Sequence, residues 1–157
     1  MHSKRRTTTL VACLRAGVLA CVLAGAMGTA QASTWLTLRG EPDDAANDIV
    51  QVNPESIDGK AELRTMQVRV NRAQPRTSRD GVMFRSYFSV VEFDCTKGTA
   101  RFLSADFYRL PMWQGAVHQS LVYGRDQLRP MVFREMTPNP TERIIRAACK
   151  SGDVLSN

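Results

Sequence analysis

Few side chains in this sequence could carry out acid–base or nucleophilic chemistry. Beyond the N-terminal segment His118 is the only histidine, and one imidazole without further ligands does not make a zinc site. Serine-hydrolase chemistry would have to combine His118 with Ser104 or Ser120, but neither serine lies in a nucleophile-elbow motif. The sequence therefore predicts a protein that is not an enzyme and has no metal or cofactor. Haem or another ligand held by His118 near Trp113 and Tyr123, across a dimer, stays open as an alternative.

The first 32 residues have the pattern of a secretory leader. Three basic residues at positions 4–6 precede a run of small apolar residues at 16–26, and Ala30-Gln31-Ala32 fits the small-x-small motif of a cleavage site. The apolar run is too short for a membrane-spanning helix. We therefore expect a signal peptide at residues 1–32, with cleavage before Ser33.

Two other export signals overlap this segment. Val18-Leu19-Ala20-Cys21 resembles a lipobox, which would place a lipid on Cys21, and Arg5-Arg6 resembles a twin-arginine signal. A cut before Cys21 would leave a very short hydrophobic stretch, and Thr7-Thr8-Thr9 stands where a twin-arginine signal has a large apolar residue. Cleavage before Ser33 is the expectation, and lipidation of Cys21 stays open.

The remainder, residues 33–157, is expected to form one domain. Its 125 residues are enough chain for one hydrophobic core. The leader holds four of the 21 basic residues and none of the 15 acidic ones, so the formal charge falls from +6 to +2 when it is removed. A nucleic-acid-binding domain would stay strongly basic, so this class is not favoured. The domain is expected in the periplasm or at the cell surface of a bacterium.

Cys95 and Cys149 are the two cysteines of that domain. A single pair in an exported protein most simply forms a structural disulfide, because the compartment is oxidising. Such a bond would close a long loop and would stabilise the fold by about 4 kcal/mol in the chain-entropy model. Two buried free thiols are the alternative.

Runs of β-branched and aromatic residues predict about six strands in sequence order. The candidate segments are residues 35–38, 48–52, 62–70, 82–94, 99–108, 117–123 and 131–135. A reversal is expected at Asp58-Gly59-Lys60. Residues 71–81 are predicted to form a mobile loop, because Pro75, Ser78 and Gly81 interrupt a stretch without apolar periodicity. Short connections between consecutive strands favour an antiparallel meander.

A helix is predicted near the carboxyl terminus. Asn139 is a suitable N-cap, Pro140 suits the first helical position, and Glu142 follows three residues after the cap. The apolar stripe that follows contains Cys149, and it must pack on the sheet for so short a helix to be stable. The predicted fold class is therefore α+β, a single small domain in which a C-terminal helix packs on an antiparallel meander sheet of about six strands. Cys95 and Cys149 are its expected disulfide.

Two stretches are candidates for contact with a partner. The arginine-rich loop contributes Arg72, Arg76 and Arg79, which could meet an acidic protein or a sulfated glycan. The connection after residue 108 contributes Met112 and Trp113, two apolar residues expected to be exposed. The alternative for the arginines is a solvated edge that pairs with the acidic segment preceding them.

Short motifs along most of the domain match one family. They are Trp35 just after the leader, the Ser56-Ile57 turn, Phe93-Asp94-Cys95, Thr99-Ala100-Arg101-Phe102 with residues 104–108, and residues 137–149 ending in Cys149. In this order they resemble the bacterial surface-adhesin protein E family. The resemblance implies a small antiparallel sheet with a packed helix, a disulfide between Cys95 and Cys149, export to the envelope, and binding of host matrix or plasma proteins.

Two functions from different classes remain open. The first is an exported cell-envelope binding module, as the resemblance implies, with a protein or glycan partner that the sequence does not identify. The second is a soluble periplasmic accessory protein without a host ligand. Neither involves nucleic acid or a membrane span, and a homodimer stays open for both.

Overall fold

The described part of the chain, residues 34–124 and 126–150 of a computed structural model, forms a six-stranded antiparallel sheet. The elements are β1 (Leu36–Arg39), β2 (Ile49–Lys60), β3 (Leu63–Thr77), β4 (Met83–Asp94), β5 (Thr99–Tyr108), a single 3₁₀ turn (Pro111–Trp113), β6 (Gln119–Val122) and α1 (Thr141–Lys150). Strand order follows sequence order from β1 to β6. The predicted fold class, a meander sheet with one C-terminal helix, is confirmed. The predicted leader, with Cys21 and Ser33, lies outside the described residues.

One face of the sheet is covered and carries the hydrophobic core. Side chains alternate between the two faces of a strand, and those pointing to this face include Met66, Val68 and Val91, each at most 1% exposed. The helix α1 contacts β2, β3 and β4, and it buries Ile144 and Ala148 completely in the core. Within residues 34–124 and 126–150, no α-helix packs on the opposite face, which we call the uncovered face.

The helix is fastened to the sheet by the disulfide and by an arginine. Cys95, directly after β4, is bonded to Cys149 in the last turn of α1, with Cα atoms 5.6 Å apart. Arg64 of β3 donates hydrogen bonds to the carbonyls of Ala148 (3.0 Å) and Cys149 (2.8 Å). The last carbonyls of a helix have no partner within the helix, so Arg64 satisfies groups that would otherwise be buried unpaired. The predicted disulfide is confirmed.

The start of the helix also agrees with the prediction. The side chain of Asn139 accepts a hydrogen bond from the backbone N–H of Thr141 at 3.0 Å, as an N-cap residue does. Glu142 lies in the first turn and Lys150 in the last, which complements the partial charges at the two ends of a helix. Local sequence signals therefore account for the start of the helix.

The predicted loop at residues 71–81 is wrong, because β3 continues to Thr77. Arg76 and Thr77 pair with β4, and the register shifts between Asn71 and Arg76. This irregularity accommodates Pro75, which cannot donate to the strand ladder, without ending the strand. The long hairpin of β3 and β4 closes only at residues 78–82, where Ser78 N donates to the carbonyl of Val82 at 2.8 Å.

The reversal between β2 and β3 lies three residues later than expected. β2 pairs with β3 as far as Lys60, and the turn is at Ala61 and Glu62. Gly59 stays within the strand with a left-handed backbone (φ 104°), and a Cβ at this position would collide with the carbonyl oxygen of Leu63. Gly59 is therefore required by an irregularity within β2, and it does not form the turn.

Residues 131–135 were predicted as a strand and are not one. The segment is joined to β5 through one isolated bridge, between Pro130 and Arg101. Met131 and Phe133 are buried while the residue between them is exposed, so the alternating pattern is real. Its cause is that the segment leaves β5 after Met131, whose N–H donates to the carbonyl of Ala100 at 2.9 Å, and then crosses over the covered face with alternate side chains turned into the core.

Candidate functional site

The turn that follows β5 folds back over the uncovered face. Met112 and Trp113 have left-handed backbone conformations (φ 55° and 57°), which are costly for residues with a Cβ. Two completely buried side chains hold this geometry: Asn71 accepts a hydrogen bond from Met112 N (2.9 Å), and Ser86 accepts one from Trp113 N (3.0 Å). The indole N–H of Trp113 donates to the carbonyl of Tyr87 at 2.9 Å. The position of Trp113 is therefore set by three hydrogen bonds at the expense of backbone strain.

Trp113 and Trp35 enclose the guanidinium of Arg69. The Arg69 Cζ lies 4.1 Å from the ring centroid of Trp113 and 4.2 Å from that of Trp35, within the range of a cation–π contact. Arg69 Nε donates to Gln51 at 2.7 Å, and the edge of Trp35 packs on Phe88 with centroids 5.8 Å apart. We call Trp35, Arg69 and Trp113 the tryptophan–arginine stack.

No carboxylate neutralises the stack within the described residues. Arg69 forms no ion pair there, and its terminal Nη atoms have no hydrogen-bond partner there. Burial lowers the pKa of Arg69 to about 10, because the indoles remove water from the cation without supplying a negative charge. An anionic group from another molecule would stabilise the Arg69 cation in place of the excluded water.

A second site, a cavity of about 660 Å³, lies on the covered face between the sheet and residues 129–135. Its wall on the sheet side is aromatic, and neighbouring ring centroids there lie 5.3 to 6.0 Å apart. These rings belong to Phe84, Tyr87, Phe102 and Phe107. Phe133 contributes a ring from the opposite wall. These two walls of the cavity are therefore apolar, while the remaining lining carries charged side chains.

Arg72 holds the outer wall of this cavity in place. Its Nε lies 3.3 Å from a carboxylate oxygen of Asp48, and its side chain is 7% exposed. Its terminal nitrogens donate to the backbone carbonyls of Arg134 (3.4 Å) and Glu135 (3.3 Å). One of the predicted partner-binding arginines thus joins β3 to the segment that covers the sheet. Its pairing with Asp48 agrees with the alternative that these arginines pair with the preceding acidic segment.

Two arginines that line the cavity are paired with the carboxylates of the lining. Arg76 forms an ion pair with Glu135, and Arg129 forms one with Asp80. The hydroxyl of Tyr123 also donates to Asp80, at 3.1 Å. Both carboxylates that line the cavity are therefore already engaged.

Two further arginines that line the cavity, Arg79 and Arg134, are exposed to solvent. Among the described residues, neither side chain has an ion pair or hydrogen bond. The cavity thus combines an apolar interior with an excess of positive charge.

Tyr87 adds a polar group to the aromatic wall. Its side chain is 9% exposed, and within the part of the chain that the structure describes its hydroxyl has no hydrogen-bond partner. Burial raises the pKa of Tyr87, with a smaller opposing effect from the nearby positive charge of Arg72. The hydroxyl therefore stays protonated and can donate a hydrogen bond to a ligand.

A family model matches most of this sequence. The model of surface-adhesin protein E covers residues 35–150, from Trp35 of the stack to the last residue of α1. The chain belongs to the surface-adhesin protein E family. This confirms the resemblance drawn from the motifs, and it indicates a non-enzymatic surface adhesin that is exported or at the cell surface. No curated protein and no solved structure matches the chain.

The predicted partner-binding residues of this surface-adhesin protein E domain fall on two faces. Arg72, Arg76 and Arg79 all line the cavity on the covered side. Met112 and Trp113 lie over the uncovered face, with Trp113 in the stack. The structure thus brings the three arginines together but separates them from the turn, and the sheet stands between the two groups.

His118 does not join Trp113 and Tyr123 in one site. The histidine is exposed, Trp113 lies over the uncovered face, and Tyr123 lines the cavity on the other. In residues 34–124 and 126–150, no three His, Cys, Asp or Glu side chains are grouped so that they could hold a metal ion. No helix in the same residues is long and apolar enough to span a membrane.

Sequence reasoning missed Arg69 and Tyr87. A signal for Arg69 exists, since it alternates with Val68 and Val70 on a predicted strand and must point away from the core face. Tyr87 sits in a strand with aromatic residues on both faces, so alternation alone could not tell that its hydroxyl would meet a cavity.

Proposed function

We propose that this chain is an exported cell-envelope binding module that binds host matrix or plasma proteins through the uncovered face of its sheet. Membership of the surface-adhesin protein E family supports the class. The observation that carries the choice of surface is the tryptophan–arginine stack. Tryptophan and arginine are the residues most enriched among those that dominate protein–protein binding energies.

The chemistry of the stack indicates an acidic partner segment. Its two half-buried indoles provide rigid apolar area. Between them Arg69 offers two Nη groups that have no partner within residues 34–124 and 126–150. A carboxylate on the partner could accept a bidentate hydrogen bond from this fork. The strained turn at Met112 and Trp113 supports the assignment, because strain of this kind persists where the surrounding structure maintains it and is common at binding sites.

The test is binding of the purified protein to immobilised basement-membrane extract and to plasma proteins, measured by surface plasmon resonance at several salt concentrations. Arg69→Gln and Trp113→Ala should each weaken binding by about tenfold or more, as expected for residues at the centre of an interface. Binding by the wild type should also weaken as salt is raised, because the contact includes a charge pair.

Two arginines on other surfaces serve as matched controls. Arg79→Gln beside the cavity and Arg143→Gln on α1 remove the same charge from exposed positions, and neither should change the affinity by more than about twofold. Equal affinities for Arg69→Gln and the wild type would exclude the stack as the contact surface. A loss with Arg79→Gln alone would move the contact to the arginines that line the cavity.

The alternative, a soluble periplasmic accessory protein without a host ligand, is favoured by one observation, the largely apolar cavity on the covered face. The two functions differ in exposure of the protein on intact cells. Protease treatment of intact cells should remove an adhesin, and it should leave a periplasmic protein untouched while a periplasmic marker stays intact in both cases.

A further inference from the structure

We propose that the cavity on the covered face binds a small amphipathic carboxylate, of which a fatty acid is the simplest example. The inference concerns a different face from the tryptophan–arginine stack. A test that contradicts it would therefore leave the proposed adhesin function unaffected.

The size and walls of the cavity suit the apolar part of such a ligand. Its volume of about 660 Å³ lies in the range of small-molecule sites, which are mostly apolar with a few polar groups. Aromatic rings line the sheet side, and Phe133 faces them from the covering segment. A flexible hydrocarbon chain would remove this apolar surface from water without requiring further polar partners.

The charge of the cavity suits an acidic head group. The carboxylates in its lining, Asp80 and Glu135, are paired with Arg129 and Arg76. Arg79 and Arg134 remain without an acidic partner in the described part of the chain. Arginine binds carboxylates with charge-assisted hydrogen bonds, whereas a cationic head group would meet net repulsion.

The hydroxyl of Tyr87 also suits a ligand with an oxygen acceptor. The Tyr87 hydroxyl lines the cavity, its side chain is 9% exposed, and it has no partner among the described residues. The hydroxyl is not among the fully enclosed polar atoms that lack a partner, so it is accessible from the cavity. A ligand oxygen would satisfy it.

The test compares three amphiphiles of equal chain length by isothermal titration calorimetry, all below their micelle concentrations. Dodecanoate carries a carboxylate, dodecan-1-ol is uncharged, and dodecyltrimethylammonium is cationic. Dodecanoate should bind with one-to-one saturation, about tenfold or more tightly than the alcohol, and the cation should bind more weakly than either. Equal affinity for all three, or no binding of dodecanoate, would overturn the proposal.

Variants of the cavity separate specific binding from adsorption. The double variant Arg79→Gln/Arg134→Gln should weaken dodecanoate binding by about tenfold and leave binding of the alcohol unchanged. Tyr87→Phe keeps the ring and should weaken dodecanoate by about threefold or more. The matched control Arg143→Gln/Arg146→Gln on the exposed side of α1 removes the same charge and should change nothing. Equal effects of the two double variants would mean that net charge, not the cavity, attracts the carboxylate.

Discussion

Tyr123 belongs to a group of three ionisable side chains at the edge of the cavity, together with Asp80 and Arg129. Its hydroxyl donates to Asp80, and Asp80 is also paired with Arg129. Burial, and next the negative charge of Asp80, raise the pKa of Tyr123 to about 12 from an ordinary value of 10. The folded state thus favours the protonated phenol. Its contribution to stability is complete below pH 10 and is lost as pH rises through about 12.

The raised pKa of Tyr123 predicts that its phenol titrates at higher pH in the folded protein than in the unfolded chain. The ultraviolet difference absorbance between the wild type and Tyr123→Phe should show a phenolate that forms near pH 12 while circular dichroism still reports a folded protein. In urea the same difference should titrate near 10, the ordinary pKa of tyrosine. A midpoint near 10 in the folded protein would show that Asp80 and burial do not act on this hydroxyl.

Single residues differ in how far the sequence predicts their role. The cysteine pair was predictable, because an exported domain with two cysteines leaves few alternatives. The stack was not, since Arg69, Trp35 and Trp113 come from β3, the residue before β1 and a turn after β5. Only the tertiary fold brings these three together. The buried role of Arg72 was equally hidden, because its acceptors are backbone carbonyls of residues that the sequence does not single out.

At the scale of elements, α1 depends on its attachments. It has ten residues, too few for an isolated helix to be stable in water. Ile144 and Ala148 bury one side of it, and Cys95–Cys149 with Arg64 fastens its C-terminal end. The covalent bond closes the chain between positions 54 residues apart.

Removal of that bond should be strongly destabilising. The double variant Cys95→Ala/Cys149→Ala should lose about 4 kcal/mol of unfolding free energy, because the unfolded chain regains the entropy of an open loop of this length. Urea denaturation measures the loss, and the reduced wild type is the control that should lose a similar amount. A loss below about 1 kcal/mol in both would show that packing of the helix alone holds the domain closed.

The elements also show where local patterns mislead. β4 and β5 were predicted almost to the residue, because continuous β-branched and aromatic runs end at clear turn signals. The end of β3 was missed, since Pro75 and its polar neighbours lack the pattern of a strand while the hairpin partner in β4 supplies the pairing. The prediction for residues 131–135 failed in the opposite way. The alternating burial was correct, but it reflects a segment that crosses the core and not a seventh strand.

At the scale of the whole molecule, the sheet separates two unrelated surfaces. The uncovered face presents indoles around a cation, and the covered face holds an apolar cavity with excess positive charge. A domain of this size can therefore bind a macromolecule on one side and a small ligand on the other. Substitutions that test one face leave the other unchanged, which makes the two proposals separable.

The covalent state of the exported protein is a further whole-molecule prediction. Protein taken from its native envelope without reductant should have an intact mass that begins at Ser33 and is two hydrogens short of the reduced sequence, because the leader is removed and the disulfide is formed. Treatment with reductant should restore the two hydrogens. A heavier, acylated species that begins at Cys21 would contradict this expectation and would anchor the domain in a membrane.

The two outer strands, β1 and β6, have four residues each, whereas the inner strands have ten to fifteen. β1 is interrupted further by a register shift between Thr37 and Arg39. Short and irregular borders offer little unpaired backbone for the strand of another molecule to extend, so they protect against aggregation by strand addition. Short, irregular edge strands of this kind keep a protein soluble at high local concentration. We therefore expect this domain to bind its partners through side chains on the faces of the sheet, and not through the backbone of its edge strands.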